Sequence, residues 1–211
     1  MPSLYYSLRT MAEQISISDA IYQRGFHIID NFLGDEDYRT LQMTIQQRQQ
    51  DGSFRPAKIG HLQDKTHNAN IRNDQIFWLD KQEGNSDINT YFSQLETLCE
   101  TLNRTLYLGL VDYEAHFAIY QPNHFYKKHI DQFSTTQDRR ISCVYYLNEQ
   151  WQTDFGGELI LYDKEDQPLI NIMPLGNRFV CFESDMPHEV CISYQTRYSI
   201  AGWLKVRPIM M

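Results

Sequence analysis

The chain has 211 residues, which is close to the size of one large domain and short for two. Apolar residues make up 42% and charged residues 22%, ordinary globular values that exclude extensive disorder. Acidic residues outnumber basic ones by 27 to 19, and the net charge of −8 disfavours sequence-independent binding to nucleic acid or to an anionic membrane.

The first half of the chain, to about residue 103, is dominated by helical periodicity. A helix is predicted to begin at Asp35 and to continue through the polar glutamine run to Gln50. A second amphipathic pattern predicts a helix from Asp87 to Leu102. The segment 51–70 between them is polar and has no clear period. Loops of this length in a compact domain often serve as active-site lids.

From about residue 106 the pattern changes to short alternating runs separated by turn residues, which predict strands. The runs are Val111–Tyr120, Phe125–Ile130, Ile141–Leu147, Glu158–Tyr162, Leu169–Ile172, Arg178–Phe182, Val190–Tyr194 and Tyr198–Val206. So many strands in sequence indicate a mainly β fold, a double-stranded β-helix (jelly-roll, cupin-like) core with supporting N-terminal α-helices. We predict one domain, 1–211, with helical support and a lid loop in 1–103 and the jelly-roll core in 104–207.

The cysteine spacing bears on the compartment. Cys99, Cys143, Cys181 and Cys191 have neither the spacing of a disulfide framework nor that of paired zinc ligands. Cys143 and Cys181 lie in apolar runs, which predicts small buried side chains in a reducing compartment. No apolar stretch approaches the ~20 residues of a membrane span, and no signal-peptide core is present. We therefore expect a cytoplasmic protein with no membrane partner.

One segment carries a candidate metal site. His129 and Asp131 are two residues apart on a predicted strand, so their side chains share a face and can reach one ion. A bare His-x-Asp pair is a weak signal, but His188 follows 57 residues after Asp131, where a later strand of the same barrel could supply a third ligand. Two histidines and one carboxylate on a triangular face bind Fe(II) and leave positions open, as in non-haem iron oxygenases.

Arg197 suggests a co-substrate for such a metal. It stands nine residues after His188, on the next predicted strand. When 2-oxoglutarate chelates a metal through its ketone and near carboxylate, its far carboxylate needs a cation, and a guanidinium can pair with it through two hydrogen bonds. The four residues together therefore predict an iron and 2-oxoglutarate site.

Several motifs point to a known family, and they lie between Arg72 and Trp203. They are Arg72–Leu79, Tyr120–Asn123 leading into His129–Asp131, Val144–Trp151, Gly156–Leu159, Pro187–Val190 and Thr196–Tyr198. This segment resembles the Fe(II)/2-oxoglutarate-dependent prolyl 4-hydroxylases, most closely the hypoxia-inducible-factor prolyl hydroxylases and their bacterial relatives. The resemblance implies a dioxygenase that uses Fe(II), 2-oxoglutarate and O2, with ascorbate as a candidate reductant. It also implies hydroxylation of a prolyl residue at C4, with release of succinate and CO2.

The resemblance assigns roles position by position. It implies that iron is held by His129, Asp131 and His188, and that Arg197 and Tyr146 bind the far carboxylate of 2-oxoglutarate. Further residues match the lining of the iron and co-substrate pocket: Tyr120, Val144, Leu159, Val190 and Trp203. Three more are expected to contact substrate or to shape its entrance: Tyr126, Asp74 and Arg139. The implied partner is a protein with a target proline, for which a cytoplasmic translation or regulatory protein is the candidate class.

The chain departs from the animal enzymes at two places. The interval from Tyr120 to His129 is one residue shorter, and Ala201 stands where those enzymes carry a threonine near the iron. Neither change touches a metal ligand. Three other functions stay open: a hydroxylase of a free amino acid or small metabolite, a nucleic-acid demethylase, which the net charge opposes, and a non-catalytic cupin-like metal-binding module, which has no use for Arg197 and Tyr146. The oligomeric state is left open.

Overall fold

The structure is a computed structural model that describes residues 17–57, 68–81, 86–133 and 135–208. Helices in these ranges are 17–24 (α1), Asp35–Gln50 (α2) and Ser86–Leu106 (α3). The strands are β1 Phe26–Asp30, β2 Arg55–Pro56, β3 Gln75–Trp78, β4 Asp112–Tyr120, β5 His124–His129, β6 Arg139–Tyr146, β7 Leu159–Tyr162, β8 Pro168–Ile172, β9 Arg178–Glu183, β10 His188–Ser193 and β11 Arg197–Lys205. A short 3-10 turn spans Thr153–Phe155.

The strands form two antiparallel sheets. The major sheet has the order β1-β9-β6-β11-β4-β3-β2, and the minor sheet has the order β5-β10-β7-β8. From β4 onward the chain passes back and forth between the sheets, with β4, β6, β9 and β11 in the major sheet and the intervening strands in the minor one. This alternation is the winding of a jelly roll, and it confirms the predicted mainly β, double-stranded β-helix fold.

The two faces of the major sheet belong to different cores, because successive side chains on a strand point to opposite faces. One core packs the sheet against the helices, with members that include Leu41, Ile45, Tyr91, Leu95, Phe117, Ile141 and Tyr145. The other fills the interior between the sheets, with Ala118, Tyr120, Tyr146, Leu159, Val180 and Val190 among its members. The helices therefore brace one face and leave the other for a site inside the barrel.

The predicted elements can be compared with the observed ones. The helix from Asp35 to Gln50 has the predicted bounds, and its acidic first turn complements the helix dipole. The second helix is longer than predicted and spans Ser86–Leu106. The eight predicted strands are β4 to β11, with ends shifted by at most two residues. The first half also contains β1, β2 and β3, so its description as helical support was incomplete.

The lid and domain predictions are only partly covered by the structure. Within the segment 51–70, Arg55–Pro56 pairs with β3, and residues 58–67 lie outside the described residues. Both the lid and the division of a single domain at residue 103 stay predictions. No helix among the described residues is long and apolar enough to cross a membrane.

The cysteines behave as small core side chains where they were expected to. Cys143 on β6 and Cys181 on β9 are register partners, both are buried, and both are free thiols. They lie in the core between the major sheet and the helices. Burial raises the pKa of both thiols, that of Cys181 to about 12.

Candidate metal and co-substrate site

Antiparallel pairing brings the three predicted metal ligands together. His129 is the last residue of β5, His188 is the first of β10, and the two are register partners. The chain then bends, and the backbone N–H of Asp131 donates to the carbonyl of Ser184 at 3.1 Å. The Asp131 carboxylate lies 3.5 Å from His129 Nε2 and 3.4 Å from His188 Nε2. One ligand atom from each residue lies within 4.8 Å of the others, which suits a single ion.

Backbone carbonyls set the tautomer of both imidazoles. His129 Nδ1 lies 2.8 Å from the carbonyl of Lys127, and His188 Nδ1 lies 2.9 Å from that of Met186. A carbonyl only accepts, so each Nδ1 carries a proton and each Nε2 is the ring nitrogen left to face a metal, while Asp131 raises the pKa of His188. In both cases the acceptor belongs to the residue two positions before the histidine. These two hydrogen bonds therefore orient both imidazole rings so that their Nε2 atoms face Asp131.

The carboxylate of Asp131 is held by a side chain of the major sheet. Ser142 Oγ on β6 donates to Asp131 Oδ2 at 2.7 Å and lies 3.0 Å from the hydroxyl of Ser184. Burial opposes ionisation, but His188 and His129 outweigh it and hold the pKa of Asp131 well below its usual range. Burial and His188 lower the pKa of His129. Carboxylate and neutral imidazole are the forms that bind a metal.

A buried guanidinium lies at the other end of the interior. Arg197, the first residue of β11, is 1% exposed, and its guanidinium carbon lies 4.9 Å from the ring centres of both Tyr120 and Tyr146. Its Nη1 donates to Ser199 Oγ at 3.2 Å. Neither Arg197 Nε nor Tyr146 Oη has a hydrogen-bond partner among the described residues. Leaving a buried donor unpaired costs about 1–3 kcal/mol, so these donors fit an anionic acceptor such as a carboxylate.

The metal ligands and this anion site lie on one face of the major sheet. Along β11, Arg197, Ser199, Ala201 and Trp203 share that face, and Ser142 on β6 is the register partner of Trp203. Since Ser142 contacts Asp131, the metal ligands lie at the Trp203 end and the anion site at the Arg197 end. Between them, Ala201 is paired with Val144, and both are partly exposed to the interior.

The remaining residues predicted for the site are placed as follows. Leu159 and Val190 are register partners in the interior core. The Arg139 guanidinium lies 3.6 Å from the ring centre of Trp203, whose Nε1 has no partner among the described residues. Arg139 also donates twice to Glu114 Oε1, at 3.0 and 2.7 Å.

Tyr126 and Asp74, the other two residues predicted to contact substrate or shape its entrance, both contact other side chains of the protein. Tyr126 stacks on His129 at a centroid distance of 3.5 Å. Asp74 is fully buried and accepts two hydrogen bonds from Arg72, at 2.8 and 2.6 Å. Asp74 and Arg139 are thus both engaged in internal ion pairs, and their role at a substrate entrance stays a prediction.

Sequence reasoning missed several contributors. Ser142 and Phe182 both contact predicted metal ligands. Ser142 bonds to Asp131, and the ring of Phe182 meets that of His188 in a T-shaped contact with 4.7 Å between the ring centres. His116 is 2% exposed on the interior side of β4, and its Nδ1 donates to the carbonyl of Phe117. Burial lowers its pKa to about 4. The two-residue alternation back from Tyr120 was the available signal for His116.

Comparisons with protein families and with known sequences both point to the same class of enzyme. Residues 115–205 match the model of the 2OG-Fe(II) oxygenase superfamily. In sequence the chain is 30% identical over 213 residues to a hypoxia-inducible factor prolyl hydroxylase of Caenorhabditis elegans. The match covers 93% of this chain but 28% of that longer protein.

Two solved structures are similar over nearly their whole length. A Pseudomonas putida prolyl-4-hydroxylase gives a TM-score of 0.82 at 31% identity and covers 92% of this chain and 99% of its own. A prolyl hydroxylase from Trichoplax adhaerens, in complex with a peptide fragment of the hypoxia-inducible-factor oxygen degradation domain, gives a TM-score of 0.86 at 27% identity. That match covers 97% of this chain and 94% of the other.

Two imidazoles and one carboxylate on a single face inside a jelly roll are the ligand set of non-haem iron oxygenases. The chain belongs to the 2OG-Fe(II) oxygenase superfamily, and within it to the homologues of the hypoxia-inducible-factor prolyl hydroxylases. These homologues are dioxygenases, and the family requires Fe(II), 2-oxoglutarate and O2.

Proposed function

We propose that this protein hydroxylates a prolyl residue of a protein substrate at C4, with Fe(II), 2-oxoglutarate and O2, and releases succinate and CO2. The observation that carries the proposal is the pair of unpaired buried donors, Arg197 Nε and Tyr146 Oη, in the same interior as the metal ligands. A module that only bound a metal would have no need of an anion site there. A 2-oxoglutarate-dependent oxygenase needs both sites.

Iron would be held by His129 Nε2, His188 Nε2 and the carboxylate of Asp131. Bound there with 2-oxoglutarate and O2, it supplies the oxidation that converts a C–H bond into C–OH. The protein contributes the orientation of the ligands. The carbonyls of Lys127 and Met186 accept from the Nδ1–H groups of His129 and His188, so each Nε2 is the ring nitrogen that would meet the metal, and Ser142 restrains the carboxylate.

The anion site would orient the co-substrate. Arg197 and Tyr146 donate to the far carboxylate of 2-oxoglutarate, which directs its other end toward the metal ligands. Apolar side chains of the interior, including Leu159 and Val190, keep water from this space. The ring of Tyr120 stacks near the guanidinium and limits its movement.

The choice of a prolyl substrate is supported by the relatives, since both similar solved structures are prolyl hydroxylases and one holds a peptide. We assign the proline ring to the aromatic side chains near the Trp203 end of the interior. Trp78 is 45% exposed and contacts His116, which in turn contacts Trp203. We place the substrate among cytoplasmic translation or regulatory proteins, in keeping with the free, buried Cys143 and Cys181.

The test is mass spectrometry of an extract of the source cells, incubated with Fe(II), 2-oxoglutarate, ascorbate and the protein. We expect one prolyl site to gain an oxygen atom with the wild type and not with His129→Ala. His27→Ala, which changes a histidine on β1 outside the site, should match the wild type. Consumption of 2-oxoglutarate with no change in any protein would overturn the proposal in favour of a small-molecule substrate. Absence of consumption would overturn it in favour of a non-catalytic module.

A further inference from the structure

Four side chains form a continuous column that ends on a metal ligand. Asp74, which is fully buried, accepts two hydrogen bonds from the guanidinium of Arg72. The guanidinium carbon of Arg72 lies 4.3 Å from the ring centre of Tyr126. The Tyr126 ring stacks on the imidazole of His129 at 3.5 Å with an angle of 15° between the planes.

The guanidinium and the imidazole lie on opposite faces of the Tyr126 ring. Two flat groups centred within 4.3 Å of one ring centre would overlap if they shared a face. Both faces of the ring are therefore covered by the protein itself. A substrate can reach only the edge and the hydroxyl of Tyr126, although the residue was predicted to contact substrate.

The column restrains a movement of His129 that its hydrogen bond leaves free. The bond from Nδ1 to the carbonyl of Lys127 fixes the tautomer and one direction of the ring. It does not fix rotation of the ring plane about that direction, whereas a face-to-face stack does. His188 has a hydrogen bond of the same kind, to the carbonyl of Met186, but its aromatic contact with Phe182 is T-shaped, with an angle of 67° between the ring planes.

We infer that Tyr126 is a positioning residue for the metal ligand His129, fixed in place by the ion pair of Arg72 with Asp74. The inference rests on the proposed iron site and deepens it. Arg72 suits this position because its planar group can stack on the tyrosine while it pairs with the carboxylate through two hydrogen bonds. A bidentate ion pair with a fully buried carboxylate also limits how far the guanidinium can move.

The test measures metal affinity and not turnover. Co(II), a stable substitute for Fe(II), is titrated into the metal-free protein and followed by its visible absorption spectrum. Tyr126→Phe keeps both ring faces and should bind Co(II) within about twofold of the wild type. Tyr126→Leu removes the ring and should weaken binding about tenfold and alter the spectrum, the low end of the effect of losing a group that orients a ligand.

Two further variants separate the stack from general packing. Tyr194→Leu makes the same change at an exposed tyrosine outside the column and should leave the affinity unchanged. Arg72→Lys keeps the charge opposite Asp74 but loses the planar group, and it should weaken binding less than Tyr126→Leu. Wild-type affinity and spectrum in a folded Tyr126→Leu variant would overturn the inference.

If Tyr126→Leu does not fold, Tyr126→Met takes its place, because a flexible thioether fills similar space without a ring. The same tenfold loss is expected and the same wild-type result would contradict it. Failure of the wild type itself to bind Co(II) would refute the iron site and the inference with it. Metal binding by the wild type with no loss in the variants refutes the inference alone.

Discussion

Tyr145 and Tyr146 are consecutive residues with opposite tasks. Tyr145 faces the helices, and its hydroxyl donates to Asn177 Oδ1 at 2.8 Å. Tyr146 faces the interior, and its hydroxyl has no partner among the described residues. One hydroxyl therefore stabilises the fold, whereas the other is unpaired at the expense of stability, and our proposal assigns it to the far carboxylate of 2-oxoglutarate.

This contrast gives a prediction for Tyr146→Phe. The variant should raise the KM for 2-oxoglutarate about tenfold, because a hydrogen bond to a charged group contributes about 1.5 kcal/mol. Without ligand its free energy of unfolding should be equal to or above that of the wild type, since an unpaired buried hydroxyl is removed. The KM is measured from the kinetics of 2-oxoglutarate consumption, and the free energy of unfolding is measured by urea titration.

The neighbouring Tyr145→Phe is the control. It should lower the free energy of unfolding by about 1 kcal/mol, the usual contribution of a hydrogen bond, and leave the KM unchanged. The assignment of Tyr146 to the co-substrate would be refuted if both variants behaved alike.

Arg197 gives a second prediction at the same scale. Arg197→Met keeps much of the side-chain volume but loses two charge-assisted hydrogen bonds, so the KM for 2-oxoglutarate should rise about 100-fold or more. Co(II) affinity should stay within about twofold of the wild type, because Arg197 lies at the far end of the interior from the metal ligands. A parallel fall in metal affinity would mean that the residue supports the barrel as a whole.

At the level of elements, the sequence was most informative where the pattern was local. The strands β4 to β11 alternate over several residues each and could be predicted, whereas β2 has two residues and exists because β3 lies beside it. β1 is an edge strand that pairs with β9, more than a hundred residues away, so nothing near it in sequence indicates the partner.

The site shows the same limit. His129 and Asp131 do converge, but not by strand alternation, since β5 ends at His129 and the bond from Asp131 N–H to the Ser184 carbonyl turns the chain back. Ser142 could not be linked to Asp131 without the register of β6. The metal ligands and Arg197 were found from sequence, whereas Ser142 and Phe182, which act through their position beside the ligands, were not.

The connection of α2 to the sheet depends on one glycine. A Cβ at Gly176, between β8 and β9, would overlap with the Asn148 carbonyl oxygen and the Tyr38 hydroxyl. Tyr38 lies on α2 and donates to that carbonyl. Gly176→Ala should therefore cost about 3 kcal/mol or more in the free energy of unfolding, measured by denaturant titration.

Gly109→Ala is the matched change. Gly109 has a φ of +70° and no atom within 4 Å of an added Cβ, so only backbone strain of about 1–2 kcal/mol is expected. A Gly176→Ala variant no less stable than Gly109→Ala would show that α2 can shift away without loss.

For the whole molecule, the site joins the two sheets. Asp131 follows a strand of the minor sheet and is bonded to Ser142 of the major sheet, and His188 of the minor sheet contacts Phe182 of the major one. These groups are brought together only in the folded state, so a ligand that binds them stabilises the folded state and not the unfolded chain. Folding stability should therefore depend on metal and co-substrate.

The expected size follows from binding linkage. With Mn(II) bound, 2-oxoglutarate at 100 times its own Kd should add about 2.7 kcal/mol to the free energy of unfolding. For a chain of this length, that raises the Tm by about 5–11 °C. Arg197→Met should keep the increment due to Mn(II) alone and lose that due to 2-oxoglutarate. Calorimetry without O2 measures both increments. An equal shift from 2-oxoglutarate in the variant would contradict the role of Arg197.

Cys143 and Cys181 lie on the opposite face of the major sheet from the metal site. Cys143 stands directly between Ser142 and Val144 on β6, yet it faces the helices, as does its register partner Cys181. Burial raises the pKa of both thiols, so they stay protonated, and it is the thiolate that oxidants attack. A centre that handles oxygen generates damaging by-products when its reaction is uncoupled. The major sheet therefore separates these two thiols from the oxidation chemistry on its other face.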